Sequence, residues 1–362
     1  MKKTEKNFDS GRFFTQKLME WDKNSNNRAM PWKKEKDPYK IWISEIILQQ
    51  TRVEQGREYY NRFISKYPDV KSLAKAKDNE VFKLWEGLGY YSRCRNLLMA
   101  ARFIQNDCKG KFPDTYEVIL SLKGVGPYSA AAIASFAYNL PHAVVDGNVM
   151  RVLSRFFRIA TPIDTTEGKK TFNELAQSLL DSKNAGLYNQ AIMDLGATVC
   201  KPQSPVCNSC PLSKRCISYK EGDMNLYPAK SKKIKIRHRW FNYFIIQCGE
   251  SYYVRKRKEK DIWQQLHEFV LIETEKAITA EEWSTDYRLK NMLGRTFKVI
   301  SQTDLRMQKL THQHVHGSFF TIAINKAVEL DGYERKTISQ IKRLAFPMMI
   351  AEFLRENRFL QP

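Results

Sequence analysis

The chain has 362 residues, with 60 Lys and Arg against 39 Asp and Glu, a formal charge of +21. That length accommodates two domains with separate cores. The basic excess suits a polyanionic partner, although a merely soluble basic protein would share it. No stretch approaches eighteen consecutive apolar residues, which argues against a membrane span. The first residues, MKKTEKNFDSGRFF, contain no apolar run of the kind that drives secretion, so a cytoplasmic location is expected. Of the seven cysteines, four fall between Cys200 and Cys216. An odd count with one dense group points to a reduced compartment and a metal site, not a disulfide framework.

Phe8 to Trp21 has the periodicity of an amphipathic helix that must pack on something later in the chain. Met30-Pro31-Trp32 follows, then IWISEIILQQTRV from Ile41 to Val53. Ile41, Trp42, Ile43, Ile46, Ile47 and Leu48 leave almost no polar face, so this helix is buried with Glu45 in its middle. A carboxyl in such surroundings has a raised pKa and can hold a proton at neutral pH; position alone favours the other reading, a Glu paired with a basic partner such as Lys33 or Arg52. Leu48-Gln49-Gln50-Thr51 ends the helix. In GLGYYSRCRNL, residues 87–97, one of Tyr90 and Tyr91 should pack in the core. Arg93 and Arg95 are either phosphate contacts or surface charges.

Leu122 to Asn148 reads LKGVGPYSAAAIASFAYNLPHAVVDGN. Pro113-Asp114 begins one helix, Gly124-Val125-Gly126 makes a hairpin, and Pro127 suits the first position of a second, Ala-rich helix over Tyr128 to Tyr138. Two glycines at a helix N-terminus allow backbone N–H groups to point outward together, a nest for phosphate that reads no base sequence. Asp146 follows between Val144-Val145 and Gly147-Asn148. Residues 149–199 read as helices with a turn near Thr161-Pro162-Ile163-Asp164, and YNQAIMDLGATVC leads into Cys200-x6-Cys207-x2-Cys210-x5-Cys216. Four thiolates so close are satisfied by a metal centre, zinc being the generic expectation. Residues 229–239, AKSKKIKIRHR, form a basic linker that either trails along phosphates or is solvated. WFNYFIIQ and SYYVRKRK then alternate like strands. His314 and His316 fall on alternate residues with no matching Cys or Asp nearby, so a metal there is the weaker reading.

LKGVGPYSAAAIAS followed by VVDGN resembles the helix-hairpin-helix superfamily of DNA base-excision glycosylases. SEIILQQT and GLGYYSRCRNL closely resemble its adenine DNA glycosylase family, MutY. The likeness is strong from about Met30 to Cys216 and weaker beyond. It implies an all-α core in two lobes: a helical barrel over about 30–145, with the hairpin motif at 114–139, and a second lobe from 1–29 and 146–228. The linker at 229–239 leads to an α+β Nudix-like domain at 240–362. IWQQLHEFVLIET resembles a turn of that domain, but the acidic Nudix signature that binds magnesium is absent, so it should not hydrolyse nucleoside diphosphates. The cysteine spacing matches the loop that carries a [4Fe–4S] cluster in this superfamily, which favours iron–sulfur over zinc at Cys200, Cys207, Cys210 and Cys216.

The resemblance also assigns roles. Glu45 would protonate the leaving base, Asp146 and Tyr128 would stabilise the cationic sugar, and Asn148 would orient groups or water beside it. Gln50 would fill the space left by the flipped base, and Tyr90 would wedge beside its partner. Trp32, Leu48, Gln49, Thr51, Gly124 and Gly126 would contact substrate or DNA. Gln190 stands where the family contacts adenine, or is a core-facing polar residue. Leu310-Thr311-His312 stands where the family commonly has Phe-Ser-His to read the opposite base; the hydroxyl and imidazole of Thr311 and His312 remain, while the aromatic does not. The implied protein is a monomeric, nucleoid-associated, monofunctional enzyme acting on duplex DNA with adenine opposite 8-oxoguanine or guanine. Its alternatives are an endonuclease III-like glycosylase/lyase, which has a Lys where Tyr128 stands, and a non-enzymatic iron–sulfur DNA-binding protein, which would not require both Glu45 and Asp146.

Overall fold

The computed structural model describes residues 2–231, 236–294, 297–303 and 305–357. Lys232, Lys233, Ile234 and Lys235, the middle of the basic linker, lie outside the described residues. The chain forms two compact units, Met1–Lys75 with Asn96–Lys233, and Ala76–Arg95 with Ile234–Pro362. Among the described residues, no helix is long and apolar enough to cross a membrane.

The first unit is helical. Helix Pro38–Leu48 starts because Asp37 accepts the Tyr39 N–H and Pro38 needs no partner for its missing one. It buries Tyr39, Ile41, Trp42, Ile43, Ile46 and Ile47, each worth about 1.5–3 kcal/mol on full burial. It packs on helix Pro127–Tyr138, whose buried Ala130, Ala131, Ala132 and Ala134 let the two backbones approach closely. A second core joins Phe14 and Leu18 of the first helix, Lys2–Ser25, to Val149, Leu153, Phe156, Phe172, Leu195 and Leu212. Cys210 and Cys216 pack against its edge, so the N-terminal helix returns to the cysteine loop as its amphipathic face requires. The helix expected from Pro113-Asp114 instead begins at Tyr116, with Thr115 as its cap; Asp114 is drawn back to Lys111, at 3.2 Å.

The second unit holds, among the described residues, a seven-stranded mixed sheet. Its strands are β1 (Arg237–Cys248), β2 (Ser251–Lys256), β3 (His267–Thr274), β4 (Lys298–Gln302), β5 (Arg306–Lys309), β6 (Gln313–Ala323) and β7 (Glu334–Thr337). The order is β4-β6-β1-β3-β2-β7, with β5 also on β6. β1 and β6 run parallel from Arg237↔Gln313 to Gln247↔Ala323; the other pairs are antiparallel. One face buries Phe244, Ile246, Val270, Phe320 and Ile322 under Trp283, Leu289 and Leu293. On the other face Phe319 stacks on Phe353, ring centroids 4.2 Å apart.

The segment before Arg95 belongs to this second unit although it lies far upstream. Lys83 donates to the Leu344 carbonyl at 2.9 Å, Glu86 accepts the Phe346 N–H at 2.9 Å, and the Tyr91 hydroxyl donates to the Phe346 carbonyl at 3.3 Å. That placement was not visible in the sequence, because the bonds span more than 250 residues and follow no local pattern.

Candidate active site

The apolar helix Pro38–Leu48 carries Glu45 inward, where the residue is 5 % exposed. The Tyr128 hydroxyl hydrogen-bonds to its carboxyl. The other carboxyl oxygen, Oε2, is buried and has no protein partner among the described residues. Burial raises the Glu45 pKa to about 7; the nearby Asp146 adds to the rise and the Tyr128 bond opposes it. The same burial, with the two carboxyls beside it, raises Tyr128 well above its ordinary value, so the phenol stays protonated as a donor. Lys33 is not the partner of Glu45: its ammonium meets Asp194 at 2.9 Å.

Tyr128 is placed by the hairpin. Gly124 adopts φ +81, and a Cβ there would come within 2.7 Å of the Asn96 Cβ, so the turn demands glycine on two counts. Gly126 differs from the expectation of a paired glycine conformation. Its φ is −98, which any residue adopts, and a Cβ would meet open space. Nothing inside the protein requires glycine there; it leaves the backbone at the N-terminus of helix Pro127–Tyr138 bare toward whatever approaches.

Asp146 caps the next helix, Gly147–Phe157. Its two oxygens accept the Val149 N–H and the Asn148 side-chain amide, each at 2.7 Å. Burial raises its pKa, while these bonds and the Arg151 charge pull the other way; the helix N-terminus also favours the carboxylate. Asn148 is held from behind, its carbonyl accepting from Arg151 at 2.8 Å. Arg151 in turn donates to the Gly196 and Cys200 carbonyls, both at 2.8 Å. One turn on, Arg155 reaches the Cys200 sulfur at 3.4 Å and the Lys201 carbonyl at 2.7 Å. A single helix therefore caps itself with Asp146 and braces the first cysteine. The i, i+4 spacing of the two arginines was the available signal, and sequence reasoning missed it.

Cys200, Cys207, Cys210 and Cys216 line one cavity of about 30 Å³, and all four are free of disulfides. Among the described residues, no three His, Cys, Asp or Glu side chains converge as a single-ion site. The four thiols line this one space, a sulfur donor set that suits a metal centre. Burial, with mutual repulsion, raises the Cys207, Cys210 and Cys216 thiols. Four thiolates there require cationic charge to hold them.

Trp32 is buried edge-on against Tyr60, at 5.4 Å. Leu48 and Thr51 are half-buried at the end of the Glu45 helix. Gln49 donates to the Ser129 hydroxyl at 3.0 Å. Gln50 is exposed with φ 57, a left-handed backbone uncommon outside glycine. Gln190 donates to Asp194 at 3.0 Å, and Asp194, fully buried, is also paired with Arg28 at 2.8 Å. With its amide nitrogen so engaged, Gln190 is a polar residue held by Asp194.

In the second unit Tyr91 is buried and Tyr90 is 45 % exposed with φ 47. The Tyr90 and Thr311 hydroxyls lie 2.6 Å apart. They line a cavity of about 440 Å³ with Arg95, Gln264, Leu310 and His312. Arg93 is not a phosphate contact. It is buried over Trp85, donates to the Leu88 and Gly89 carbonyls, and has its pKa lowered by burial to about 10. Arg95 bonds Gln264 at 2.6 Å. His314 and His316 group with His238 and Trp240 on β1 and β6, the His238 and His316 nitrogens 2.9 Å apart.

Comparison with known proteins agrees with this arrangement. Residues 43–178 match the family of HhH-GPD superfamily base excision DNA repair proteins, and residues 242–356 match the NUDIX domain. The adenine DNA glycosylase of Buchnera aphidicola subsp. Schizaphis graminum is 33 % identical over 311 residues, 86 % of each chain. The adenine DNA glycosylase of Homo sapiens is 41 % identical over 212 residues, 56 % of this chain and 39 % of that one. A thermostable thymine-DNA glycosylase superposes with a TM-score of 0.55 and 30 % identity over 59 % of this chain and 99 % of its own. An endonuclease III trapped on DNA shares the fold, at a TM-score of 0.51 and 20 % identity over 58 % of this chain and 96 % of its own. With a helical glycosylase core, a Nudix-like mixed-sheet domain and the Buchnera relative matched over 86 % of both lengths, the chain belongs to the adenine DNA glycosylase family of the helix-hairpin-helix superfamily.

Proposed function

We propose that this enzyme hydrolyses the N-glycosidic bond of adenine mispaired with 8-oxoguanine or guanine in duplex DNA, and leaves the sugar–phosphate strand intact. One observation carries the reading: a buried Glu45, with one oxygen unpartnered and a pKa near 7, shares Tyr128 and its electrostatic surroundings with Asp146. Adenine leaves poorly as an anion. Glu45 delivers a proton to the base, the C1′–N9 bond breaks, and the electron pair goes to a neutral adenine. Asp146 stabilises the oxocarbenium charge that develops on the sugar, with the Tyr128 hydroxyl beside it. Asn148, held by Arg151, fixes the second Asp146 oxygen. Water then adds to C1′, and the proton it loses passes to the carboxylate pair and restores the acid at Glu45. The base must be extruded to be reached; the exposed, left-handed Gln50 stands ready to occupy its place, and the bare Gly126 backbone suits a phosphate. Trp32, Leu48, Gln49, Thr51 and the Gln190 carbonyl would surround the flipped base. Tyr90, Thr311 and His312, together on one cavity, would receive the opposite base. Leu310, in place of an aromatic, offers that base no stacking face.

The test is a duplex with one adenine opposite 8-oxoguanine, incubated with enzyme and then treated with alkali or with borohydride. Strand scission is expected only after alkali, because Tyr128 supplies no amine for a Schiff base. Efficient borohydride trapping of the wild type would instead indicate a lyase.

Cys200, Cys207, Cys210 and Cys216 would hold a [4Fe–4S] cluster, which supplies charge and cross-links the loop and, fully ligated, offers no open site for Lewis-acid catalysis. The protein should purify yellow-brown with about four irons per chain; zinc without iron in anaerobically prepared protein would refute that assignment.

A further inference from the structure

The cavity that holds Tyr90 and Thr311 has another wall, residues 261–264, to which nothing above gives a role. Its backbone is costly. Trp263 at φ 60 and Gln265 at φ 75 occupy the left-handed region without being glycine. Such conformations persist where their surroundings over-determine them, and they gather at binding sites.

Here the surroundings are ionic. Arg239, buried on β1, grips both Asp261 oxygens at 2.9 Å and both Glu273 oxygens at 2.6 and 2.7 Å. Arg257, also buried, donates to Asp261 and to the Ile262 carbonyl, each at 3.1 Å, and its remaining nitrogen meets the fully buried Glu268. The Gln265 N–H donates to the Arg257 carbonyl at 2.8 Å, closing the loop. Trp263 packs edge-on against Phe241, at 5.7 Å, under the face on which Arg239 lies. Partial burial opposes ionisation of Asp261, but the Arg239 bonds and charge prevail and hold its carboxyl below the usual range. So fixed, the loop presents Gln264, whose amide bridges the Lys258 carbonyl at 3.1 Å and Arg95 at 2.6 Å.

We propose that Asp261 is a positioning residue for opposite-base recognition: clamped by Arg239 and Arg257, it holds the strained loop so that Gln264 fixes Arg95 on the cavity wall beside Tyr90. A clamp needed only for stability would gain nothing from ending on a strained loop at a cavity. The inference rests on the reading that this cavity receives the base opposite the excised adenine.

The experiment uses the full chain and measures single-turnover cleavage of adenine opposite 8-oxoguanine against adenine opposite guanine, with thermal melting in parallel. Asp261→Asn keeps the shape but loses one acceptor oxygen, leaving an arginine donor unmatched. The preference ratio should fall about tenfold. Asp261→Glu, which restores the carboxylate, should recover most of the ratio, as loss of folding stability alone would not predict. Gln264→Ala leaves the Asp261 clamp intact, frees Arg95 and the Lys258 carbonyl from the bridge, and should lower the ratio in the same direction. A wild-type ratio in both Asp261→Asn and Gln264→Ala overturns the proposal. So does a loss in Asp261→Asn that Asp261→Glu fails to repair while Gln264→Ala is silent. Thr311→Ala with His312→Ala separates the two levels. If that variant also keeps the wild-type ratio, the cavity does not read the base and the functional reading fails; if it alone lowers the ratio, only the positioning role fails.

Discussion

Glu45→Gln should lower single-turnover release of adenine by about 10²–10⁴-fold, and Asp146→Asn by about 10²–10³-fold. Each change nearly preserves shape. The first removes a transferable proton and the second removes the negative charge that, in the proposed chemistry, would face the sugar. Neither alters the hairpin backbone, so both variants should still bind the mispair in a gel-shift titration. The Asp146→Asn effect has a second source. Asp146 accepts from both Val149 and Asn148, and an amide that turns its NH₂ toward either loses that bond. A near-wild-type rate in both variants would dispose of the two-carboxylate chemistry.

The pH profile should show the same pair. In the proposed chemistry Glu45 would work as an acid only while protonated, and its pKa is near 7. The single-turnover rate should therefore decline above about pH 7, approaching tenfold per unit at higher pH. The acid limb would belong to Asp146, whose pKa burial raises from its ordinary value. Stability follows the same sign. The native state holds the Glu45 proton to a higher pH than the unfolded chain, so that contribution is fully present below the ordinary value of 4.5 and is lost as pH rises through about 7. Above that window the buried carboxylate costs about 3 kcal/mol. Glu45→Gln escapes the penalty and should melt above wild type at alkaline pH, with a much smaller difference at pH 5. A flat rate between pH 6 and 9 would assign the proton to another group.

What the sequence disclosed was what is local. The Glu45 helix has no polar face, the Gly124 turn precedes Pro127, and the four cysteines lie within one loop, so each could be read from neighbours in the chain. Charge alone misled at Arg93: its guanidinium turns back onto the Leu88 and Gly89 carbonyls just before it, and a one-dimensional reading cannot tell that from a cation facing solvent. The rest was out of reach for a different reason. Tyr128 meets Glu45 only because two helices pack, Asp194 gathers Arg28 and Lys33 from more than 160 residues away, and Tyr90 meets Thr311 across 221 positions. Such contacts follow from the closed tertiary structure and carry no periodicity to find.

The upstream segment that bonds to Leu344 and Phe346 also imposes an order of events on synthesis. Lys83 and Glu86 leave the ribosome about 260 residues before their partners exist. At about 5–20 residues per second, that is a wait of roughly 13–50 s. During it the first unit can already be closing on both sides of a stretch, Ala76–Arg95, that has nowhere to dock. Nascent chains stalled before Leu344 should therefore carry this stretch as a protease-sensitive loop, and its protection should arrive late and all at once, when Leu344 and Phe346 are released. The cavity of Tyr90 and Thr311, built partly from that same stretch, would then form only after Leu344 and Phe346 have emerged.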